Sequence, residues 1–505
     1  MSITQICILA VIVLYLLFVL LVGIKFSKGN KTTEDYYLGG RKLGPLVTAM
    51  SAEASDMSSW LLLGIPGLAY ASGLADPFWT SLGLGIGTYF NWLIVARKLR
   101  RYSQINGSAT IPSFFSNRFG DEKNVLSLIA ALVIIIFFVP YTASGFSACG
   151  KLFNSLFGVD YMVAMIIFAL VIIAYTTLGG FLAASTTDLI QSIIMTIALA
   201  TILFYGASQA GGWGAVFENA KGLAGYFDLN NMHSDETGLI AYGTLTKVST
   251  MAWGLGYFGM PHILLRFMAI EKEEKLSLSR RIASVWVFIA MFAAIIIGFV
   301  ARAMTANGSI GVLDDPETAI IKISDLLSSH GVFTACVAGL ILAGILAATM
   351  STADSQLLAA ASSASDDIFG KMIFKKQDAN RSMLVARIAV VVMSIIALFI
   401  ASDPNSSVFQ IVSFAWAGFG AAFGPLMLFA LFWKRTNKYG ALAGMISGGV
   451  MIFVWKFLVR PLGGVWNIYE LLPGFIVSAL FIIIVSLLTP APTGKVIEDF
   501  EKAAK

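Results

Sequence analysis

Long apolar stretches recur along almost the whole chain and are separated by short polar segments. A helix rises 1.5 Å per residue, so crossing about 30 Å of hydrocarbon takes roughly 20 residues. Thirteen stretches come close to or exceed that length, and we predict one membrane span for each. Their limits are 4–24, 44–70, 76–96, 125–153, 161–178, 182–208, 243–264, 282–304, 332–360, 384–401, 408–433, 440–458 and 468–488. The alternative is twelve spans with one re-entrant segment.

The composition indicates a membrane protein. Of the 505 residues, 57% are hydrophobic and only 12% are charged, whereas a soluble domain carries about 25% charged residues. So few charges cannot cover a water-facing surface, which excludes soluble enzymes, nucleic-acid binders, secreted disulfide scaffolds and disordered chains. We therefore predict an all-α polytopic protein that forms one transmembrane domain, 1–505, in a lipid bilayer, with no nucleic-acid partner and no obligatory protein partner.

Basic residues predict the orientation of this domain. They concentrate in alternate loops, at 25–43, 97–123 and 266–281, and in the tail 489–505. Because cytoplasmic loops carry an excess of Lys and Arg, these segments are predicted to be cytoplasmic. The N-terminus is then outside, the C-terminus is cytoplasmic, and the protein lies in the cell membrane. This interpretation treats Arg266 as a loop residue.

Several kinds of chemistry lack their sequence signatures. A GxxxxGK[ST] phosphate loop, an HExxH zinc motif and a TVGYG potassium filter are all absent from the sequence, which argues against ATP-driven transport, a zinc protease and a potassium channel. Cys7, Cys149 and Cys336 lie far apart, and we interpret them as small buried hydrophobic residues. We therefore expect that this protein is not an enzyme. The rival hypotheses are a membrane enzyme with Asp56 and Asp188 as a catalytic pair, and a passive channel.

Two of the spans contain residues that break a helix. The stretch Ser51–Ser59 holds four serines with Glu53 and Asp56, and Ser249–Pro261 holds three glycines and ends in proline. A regular helix would expose the polar groups to lipid, whereas an unwound segment facing a protein cavity would not. Freed carbonyl groups in such a segment can bind a cation.

The breaks lie five spans apart, so the two segments run in opposite directions. Interrupted helices at matching positions of inverted repeats mark the binding site of many secondary transporters. We predict a first repeat over 44–208 and a second over 243–433. Segment 4–24 is then an extra N-terminal helix, 440–488 holds two extra helices, and 489–505 is a cytoplasmic tail.

Several motifs resemble the sodium/solute symporter family, and within it the bacterial proline carriers. They are Ser51-Ala-Glu-Ala-Ser-Asp-Met-Ser-Ser-Trp60, Trp253-Gly-Leu-Gly-Tyr-Phe-Gly-Met-Pro-His262, Ala347-Ala-Thr-Met-Ser-Thr-Ala-Asp-Ser-Gln-Leu357, Ala415-Trp-Ala-Gly-Phe-Gly-Ala-Ala-Phe-Gly-Pro425 and Ala441-Leu-Ala-Gly-Met445. The resemblance extends from about residue 34 to about residue 488. It implies a LeuT-type fold of five plus five helices, thirteen helices in all, and sodium-coupled import of L-proline by alternating access. The alternative is a sodium symporter for another small amino acid or a carboxylate.

The resemblance also implies a binding site. The family's sodium site matches the carbonyls of Ala54, Met57 and Ala348 and the hydroxyls of Ser351 and Thr352. Its essential helix carboxylate matches Asp56. The positions that contact proline match Ser58, Ser59, Tyr141, Trp253, Tyr257 and Pro261.

The chain departs from the familiar proline carrier at one of these positions, Ser59, and at two further positions within the motifs, Glu53 and Asp354. Ser59 and Glu53 stand where that carrier has glycine, and Asp354 stands where it has serine. We expect Glu53 to point away from the sodium toward a polar contact between helices. We expect Asp188, Ser351, Asp354 and Ser355 to line the inner exit or to hold a second cation or a proton; the alternative is a solvated cytoplasmic vestibule.

Overall fold

The computed structural model describes residues 2–27, 38–374 and 379–504, and helix dominates it. The helices are α1 (Ile3–Ser27), α2 (Pro45–Asp56), α3 (Ile65–Ser72), α4 (Ala75–Phe90), α5 (Ala96–Ile105), α6 (Ile111–Phe119), α7 (Val125–Phe157), α8 (Tyr161–Gln209), α9 (Trp213–Gly222), α10 (Thr244–Met251), α11 (Pro261–Ala269), α12 (Leu276–Ala306), α13 (Ala319–Ser328), α14 (Val332–Ser362), α15 (Ala379–Ile400), α16 (Val408–Phe432), α17 (Lys438–Val454), α18 (Leu471–Leu488) and α19 (Lys495–Ala504). Much of the predicted basic segment 25–43 lies outside the described residues. The start of the family resemblance, near residue 34, lies outside them too.

The apolar helices agree with the predicted spans. Within the described ranges, eight helices are long and apolar enough to cross a membrane, and three shorter apolar helices account for further predicted spans. Helix α8 covers both 161–178 and 182–208. A straight helix of its 49 residues would be about 74 Å long, which is too long for one crossing. The total of thirteen stays a prediction.

The two broken helices run in opposite directions. The first comprises α2, a break and α3; the second comprises α10, a 3-10 segment Ala252–Gly259 and α11. Leu43, just before α2, donates its N–H to the carbonyl of Ala269 at the end of α11 (3.2 Å). The start of one broken helix therefore lies beside the end of the other, as an inverted repeat requires.

Glycines allow the second break to reach the core. A Cβ atom on Gly87 of α4 would lie 2.2 Å from the carbonyl oxygen of Gly254, and one on Gly254 would lie 2.1 Å from that of Gly83. Only hydrogen at these positions lets the two backbones meet so closely.

The segments between spans contain more structure than the sequence predicts. The segment 209–242 holds α9 and an antiparallel pair of strands, β1 (Asn231–Ser234) and β2 (Gly238–Ala241). The tail 489–505 contains α19, whose Phe500 ring lies 4.8 Å from the guanidinium of Arg118. The tail therefore does not lie free in solvent, because this amphipathic helix packs its apolar face on α5 and α6.

Candidate ion and substrate site

The first break confirms an interruption within Ser51–Ser59 but confines it to Met57 and Ser58, because the helix continues through Asp56. Helix α2 ends at Asp56, and Met57 leaves the helical conformation with φ −82° and ψ 74°. The carbonyl of Asp56 accepts hydrogen bonds from the Trp60 indole (2.9 Å) and the Tyr141 hydroxyl (3.2 Å). Side chains from the bundle thus satisfy a backbone group that the broken helix leaves open.

Three of the five predicted sodium ligands meet beside this break. The Ser351 hydroxyl of α14 lies 2.7 Å from the carbonyl oxygen of Ala54 and 3.0 Å from that of Ala348. The Thr352 hydroxyl is buried, with 3% of the residue exposed, and has no hydrogen-bond partner among the described residues. Neutral oxygens with one unsatisfied hydroxyl fit a hard monovalent cation. Met57 lies at the break itself.

The second break lies opposite the first, and side chains from other elements likewise donate hydrogen bonds to its backbone carbonyls. The 3-10 segment Ala252–Gly259 ends at Met260, which is extended, and Pro261 starts α11. The Trp416 indole donates to the carbonyl of Trp253 (2.8 Å), and the Asn91 amide donates to that of Tyr257 (3.0 Å). These remote side chains hold the irregular backbone in place.

Aromatic rings surround Trp253. Its ring stacks on Tyr469 at 5.1 Å and lies 5.3 Å from Phe409, while Tyr257 meets Trp416 edge-to-face at 5.0 Å. The sequence motif around Trp416 supported the family resemblance, but no site role was predicted for that residue. The structure places it between the two predicted substrate aromatics.

Asp56 joins the two breaks. The Tyr257 phenol donates a short hydrogen bond to Asp56 Oδ2, whereas Asp56 Oδ1 has no partner in the described part of the chain. Ser58, Ser59 and Pro261 are buried at the breaks. No hydrogen bond within the described ranges links the Ser59 hydroxyl to the other predicted residues.

A polar network lies on the N-terminal side of the first break, around Ser51 and Ser55 of α2. Asp188 Oδ2 accepts from the hydroxyls of Ser51 (2.6 Å) and Ser55 (3.3 Å) and forms an ion pair with Arg266 (3.2 Å). Arg266 also donates to the Ser355 hydroxyl (2.6 Å). The two charged side chains are 0–1% exposed.

This network corrects one prediction and bears on another. Arg266 is not a loop residue: it lies on α11 with its guanidinium in the protein interior. The predicted group Asp188, Ser351, Asp354 and Ser355 comes together and is buried, so the alternative of a solvated vestibule does not describe this conformation. Its role as the inner exit or as a site for a second cation or a proton stays a prediction. No sequence signal marked Arg266 as a buried residue, because a basic residue near a span end is typical of a cytoplasmic loop.

Glu53 makes the polar contact between helices that the sequence predicts. Its Oε1 accepts a hydrogen bond of 2.9 Å from the Trp92 indole, which follows α4. The side chain is buried at 1% exposure, and its Oε2 has no partner in the described ranges.

A large cavity opens on the other side of the breaks. Its volume is about 990 Å³, and Gly64, Phe409 and Lys151 contribute to its lining. Lys151 forms ion pairs with Glu317 (2.7 Å) and Asp315 (2.8 Å). Glu317 also accepts from the backbone N–H groups of Val408 and Phe409, so it caps α16.

Comparisons with known proteins agree with this geometry. The profile of the Sodium:solute symporter family matches residues 36–448. The chain is 42% identical over 500 residues to a sodium/proline symporter of Haemophilus influenzae, covering 97% of this chain and 96% of that protein. It is 40% identical over 500 residues to a sodium/proline symporter of Staphylococcus aureus, covering 97% and 94%.

A solved structure confirms the fold class. A Na⁺-coupled sialic acid symporter, described as a substrate-bound outward-open state with a novel Na⁺ site, superposes with a TM-score of 0.79 at 20% identity, covering 96% of this chain and 99% of that one. At that identity the likeness bears on the fold alone. The family profile covers most of this chain, and the two sodium/proline symporters are about 40% identical to it over nearly their full length, so this chain belongs to the sodium:solute symporter family, whose members are transporters.

Proposed function

We propose that this protein imports L-proline together with sodium by alternating access. The observation that carries the proposal is the meeting of Ser351 with the Ala54 carbonyl across the first break, next to the unsatisfied Thr352 hydroxyl. The names of relatives about 40% identical over nearly the full length supply the substrate. The cell membrane is the proposed location, with the N-terminus outside and the C-terminus cytoplasmic.

The proposed sodium ligands are the carbonyls of Ala54, Met57 and Ala348 and the hydroxyls of Ser351 and Thr352. Ala54 and Met57 belong to the first broken helix and the other three to α14, so a bound cation would tie the broken helix to its neighbour. Binding from the outside would thereby fix the unwound backbone in one arrangement.

The proposed proline site lies on the other side of the same backbone. Asp56 holds Tyr257 through its short hydrogen bond, and Tyr141 is anchored on the Asp56 carbonyl. The face of Trp253 suits both the apolar ring of proline and its secondary ammonium group. Ser58, Ser59 and Pro261 complete the set, with backbone N–H groups near the break available for the carboxylate.

Coupling follows from the shared backbone. If sodium and proline both stabilise the same arrangement of the break, each raises the affinity for the other, because coupling between two binding sites is reciprocal. One sodium ion crossing about 100 mV releases roughly 2.3 kcal/mol. A tenfold sodium gradient adds about 1.4 kcal/mol. Together these energies support an accumulation of a few hundredfold at one-to-one stoichiometry.

The decisive experiment is uptake of labelled L-proline into proteoliposomes with an inward sodium gradient. We expect uptake that stops when potassium replaces sodium. Absence of L-proline uptake under the sodium gradient overturns the proposal. Competition by other small amino acids and carboxylates tests the alternative substrate class.

Variants of α14 test the sodium site within the same assay. Ser351→Ala and Thr352→Val each remove one oxygen ligand, and a hydrogen bond to a charged group is worth about 1.5–3 kcal/mol, so the half-saturating sodium concentration should rise by about tenfold or more. Thr349→Val is the matched control, because the Thr349 hydroxyl donates to the carbonyl of Ile345 in its own helix. An equal sodium requirement in all three variants would contradict the assignment.

A further inference from the structure

Tyr469 reaches the proposed substrate site from outside the two predicted repeats. It lies just before α18, one of the two helices that the sequence predicts as extra to the repeats. Its ring stacks on Trp253 with the centroids 5.1 Å apart and the planes 20° apart, and the residue is 8% exposed. Among the described residues, the other rings that meet Trp253 are farther away and more tilted, at 5.3–6.2 Å and 32–34°. The most parallel contact of Trp253 therefore comes from a helix to which the proposed mechanism gives no part.

Two hydrogen bonds fix Tyr469 at both ends. Its backbone N–H donates to the Ser249 hydroxyl of α10 (2.6 Å), and its phenol donates to the carbonyl of Ser413 on α16 (2.8 Å). The next residue, Glu470, is buried and forms an ion pair with Arg460 (3.0 Å), which holds the start of α18 in place. Tyr469 thus bridges α10, which leads into the second break, and α16, which packs against it.

The Trp253 ring depends on such support because its own backbone is irregular. Trp253 lies in the 3-10 segment Ala252–Gly259, where hydrogen-bond geometry is poorer than in an α-helix. The Trp416 indole holds the Trp253 carbonyl. The Tyr469 ring instead contacts the Trp253 side chain, so the backbone and the ring of Trp253 are held by different residues.

We propose that Tyr469 is a positioning residue, which fixes the plane of the Trp253 ring and thereby raises the affinity for the zwitterionic substrate. Stacking and cation–π contacts depend on where the ring lies relative to the ligand, so a ring that is free to tilt binds more weakly. The inference rests on the proposed function, because it takes Trp253 as a contact of the substrate. Tyr469 acts through Trp253 and is not itself a substrate contact.

The test is the kinetics of L-proline uptake into proteoliposomes at saturating sodium. Tyr469→Leu removes the ring, and we expect the half-saturating proline concentration to rise about three- to tenfold while the maximal rate is unchanged. Tyr469→Phe keeps the ring and should stay within about twofold of the wild type. Phe157→Leu is the matched control, because it breaks a stacked pair with Phe153 (5.7 Å) on α7 and should leave the proline affinity unchanged.

A double-mutant cycle separates positioning from a general loss of packing. If Tyr469 acts through Trp253, Trp253→Leu combined with Tyr469→Leu should have the same half-saturating proline concentration as Trp253→Leu alone. Ser249→Ala keeps both rings but removes the acceptor of the Tyr469 N–H, and should raise that concentration less than Tyr469→Leu does. Additive effects in the cycle, an unchanged proline affinity in Tyr469→Leu, or equal losses in Tyr469→Leu and Tyr469→Phe overturn the proposal.

Failure of the proposed function gives a different result. The wild-type protein would then take up no L-proline under a sodium gradient, whatever the residue at position 469. The small amino acid or carboxylate that the wild type does take up then replaces L-proline in the same measurements, and the same comparison of variants decides the role of Tyr469.

Discussion

The two sides of the central breaks are built from similar charges but differ in their access to solvent. On one side, Lys151 with Glu317 and Asp315 borders a cavity of about 990 Å³. On the other, the cavity beside Arg266 and Ser355 is about 10 Å³, roughly the space of a single water molecule. In the proposed orientation, this conformation faces outward.

The difference indicates how the inner side closes. A buried ion pair is stable only while its geometry is good, and its charges regain hydration when it separates. We therefore expect the pair of Arg266 and Asp188 to close the inner path in a reversible way. An apolar plug would have to expose hydrocarbon to water on opening. The Lys151 cluster does not close the outer path, because its ions line the edge of the open cavity.

The largest effect is expected from breaking the inner ion pair. Arg266→Gln leaves Asp188 buried without its partner, which costs about 3–5 kcal/mol. We expect loss of proline uptake and a lower unfolding temperature. Opening of the inner side is measured with Leu358→Cys, at the small inner cavity, in a protein without its native cysteines. When Arg266→Gln is added, this cysteine should become accessible to a thiol reagent applied from the cytoplasmic side.

A double-mutant cycle checks that interpretation. Arg266→Gln with Asp188→Asn removes both charges, so its loss of stability should be smaller than the sum of the two single losses. Additive losses would mean that the two residues stabilise the protein independently. The inner side would then not depend on their ion pair.

A smaller effect is expected at the outer cluster. Glu317→Gln weakens the bonds to Lys151 and the Ser407 hydroxyl, but Asp315 still pairs with Lys151. We expect a loss of about 1–3 kcal/mol in the free energy of unfolding, measured by thermal unfolding in detergent, with Leu358→Cys remaining protected. Protection lost from the inner side would contradict the separation of the two regions.

The smallest effect is expected at the outer surface. Asp235, in the turn between β1 and β2, is 68% exposed and bonds to Arg302, which lowers the pKa of its carboxyl group. A lowered pKa stabilises the fold above the unfolded-state pKa, and that contribution is lost as pH falls through the folded-state pKa. Asp235→Asn should therefore cost at most about 1 kcal/mol at neutral pH and nothing in strong acid. A larger loss in thermal unfolding would show that surface charges also stabilise the outer side.

The breaks could be predicted because their causes are local. Glycine and proline within a few residues weaken a helix wherever they occur, so Ser249–Pro261 was recognised as irregular from its sequence. The contact between Ser351 and Ala54 came from family resemblance, since nothing local pairs residues 297 positions apart. The role of each predicted site residue remains a prediction until the variants are measured.

The sequence analysis missed the roles of Trp416 and Arg266 for the same physical reason. In the sequence, Trp416 is one more apolar residue in an apolar helix. Its role is evident only in the structure, where its indole donates to the Trp253 carbonyl. In the sequence, Arg266 has the position of a basic loop residue. In the structure it is buried, because Asp188 from a distant helix pairs with its charge. In each case the decisive partner is far away in sequence.

The membrane class, the approximate spans and the positions of the two breaks follow from the amino-acid order alone, because transfer energies and backbone preferences belong to short segments. The folded arrangement was needed to show which polar groups meet inside the bundle, which of them stay unsatisfied, and which side is open. A buried polar atom is stabilised or left unpaired by its neighbours in space, and the folded chain alone brings those neighbours together.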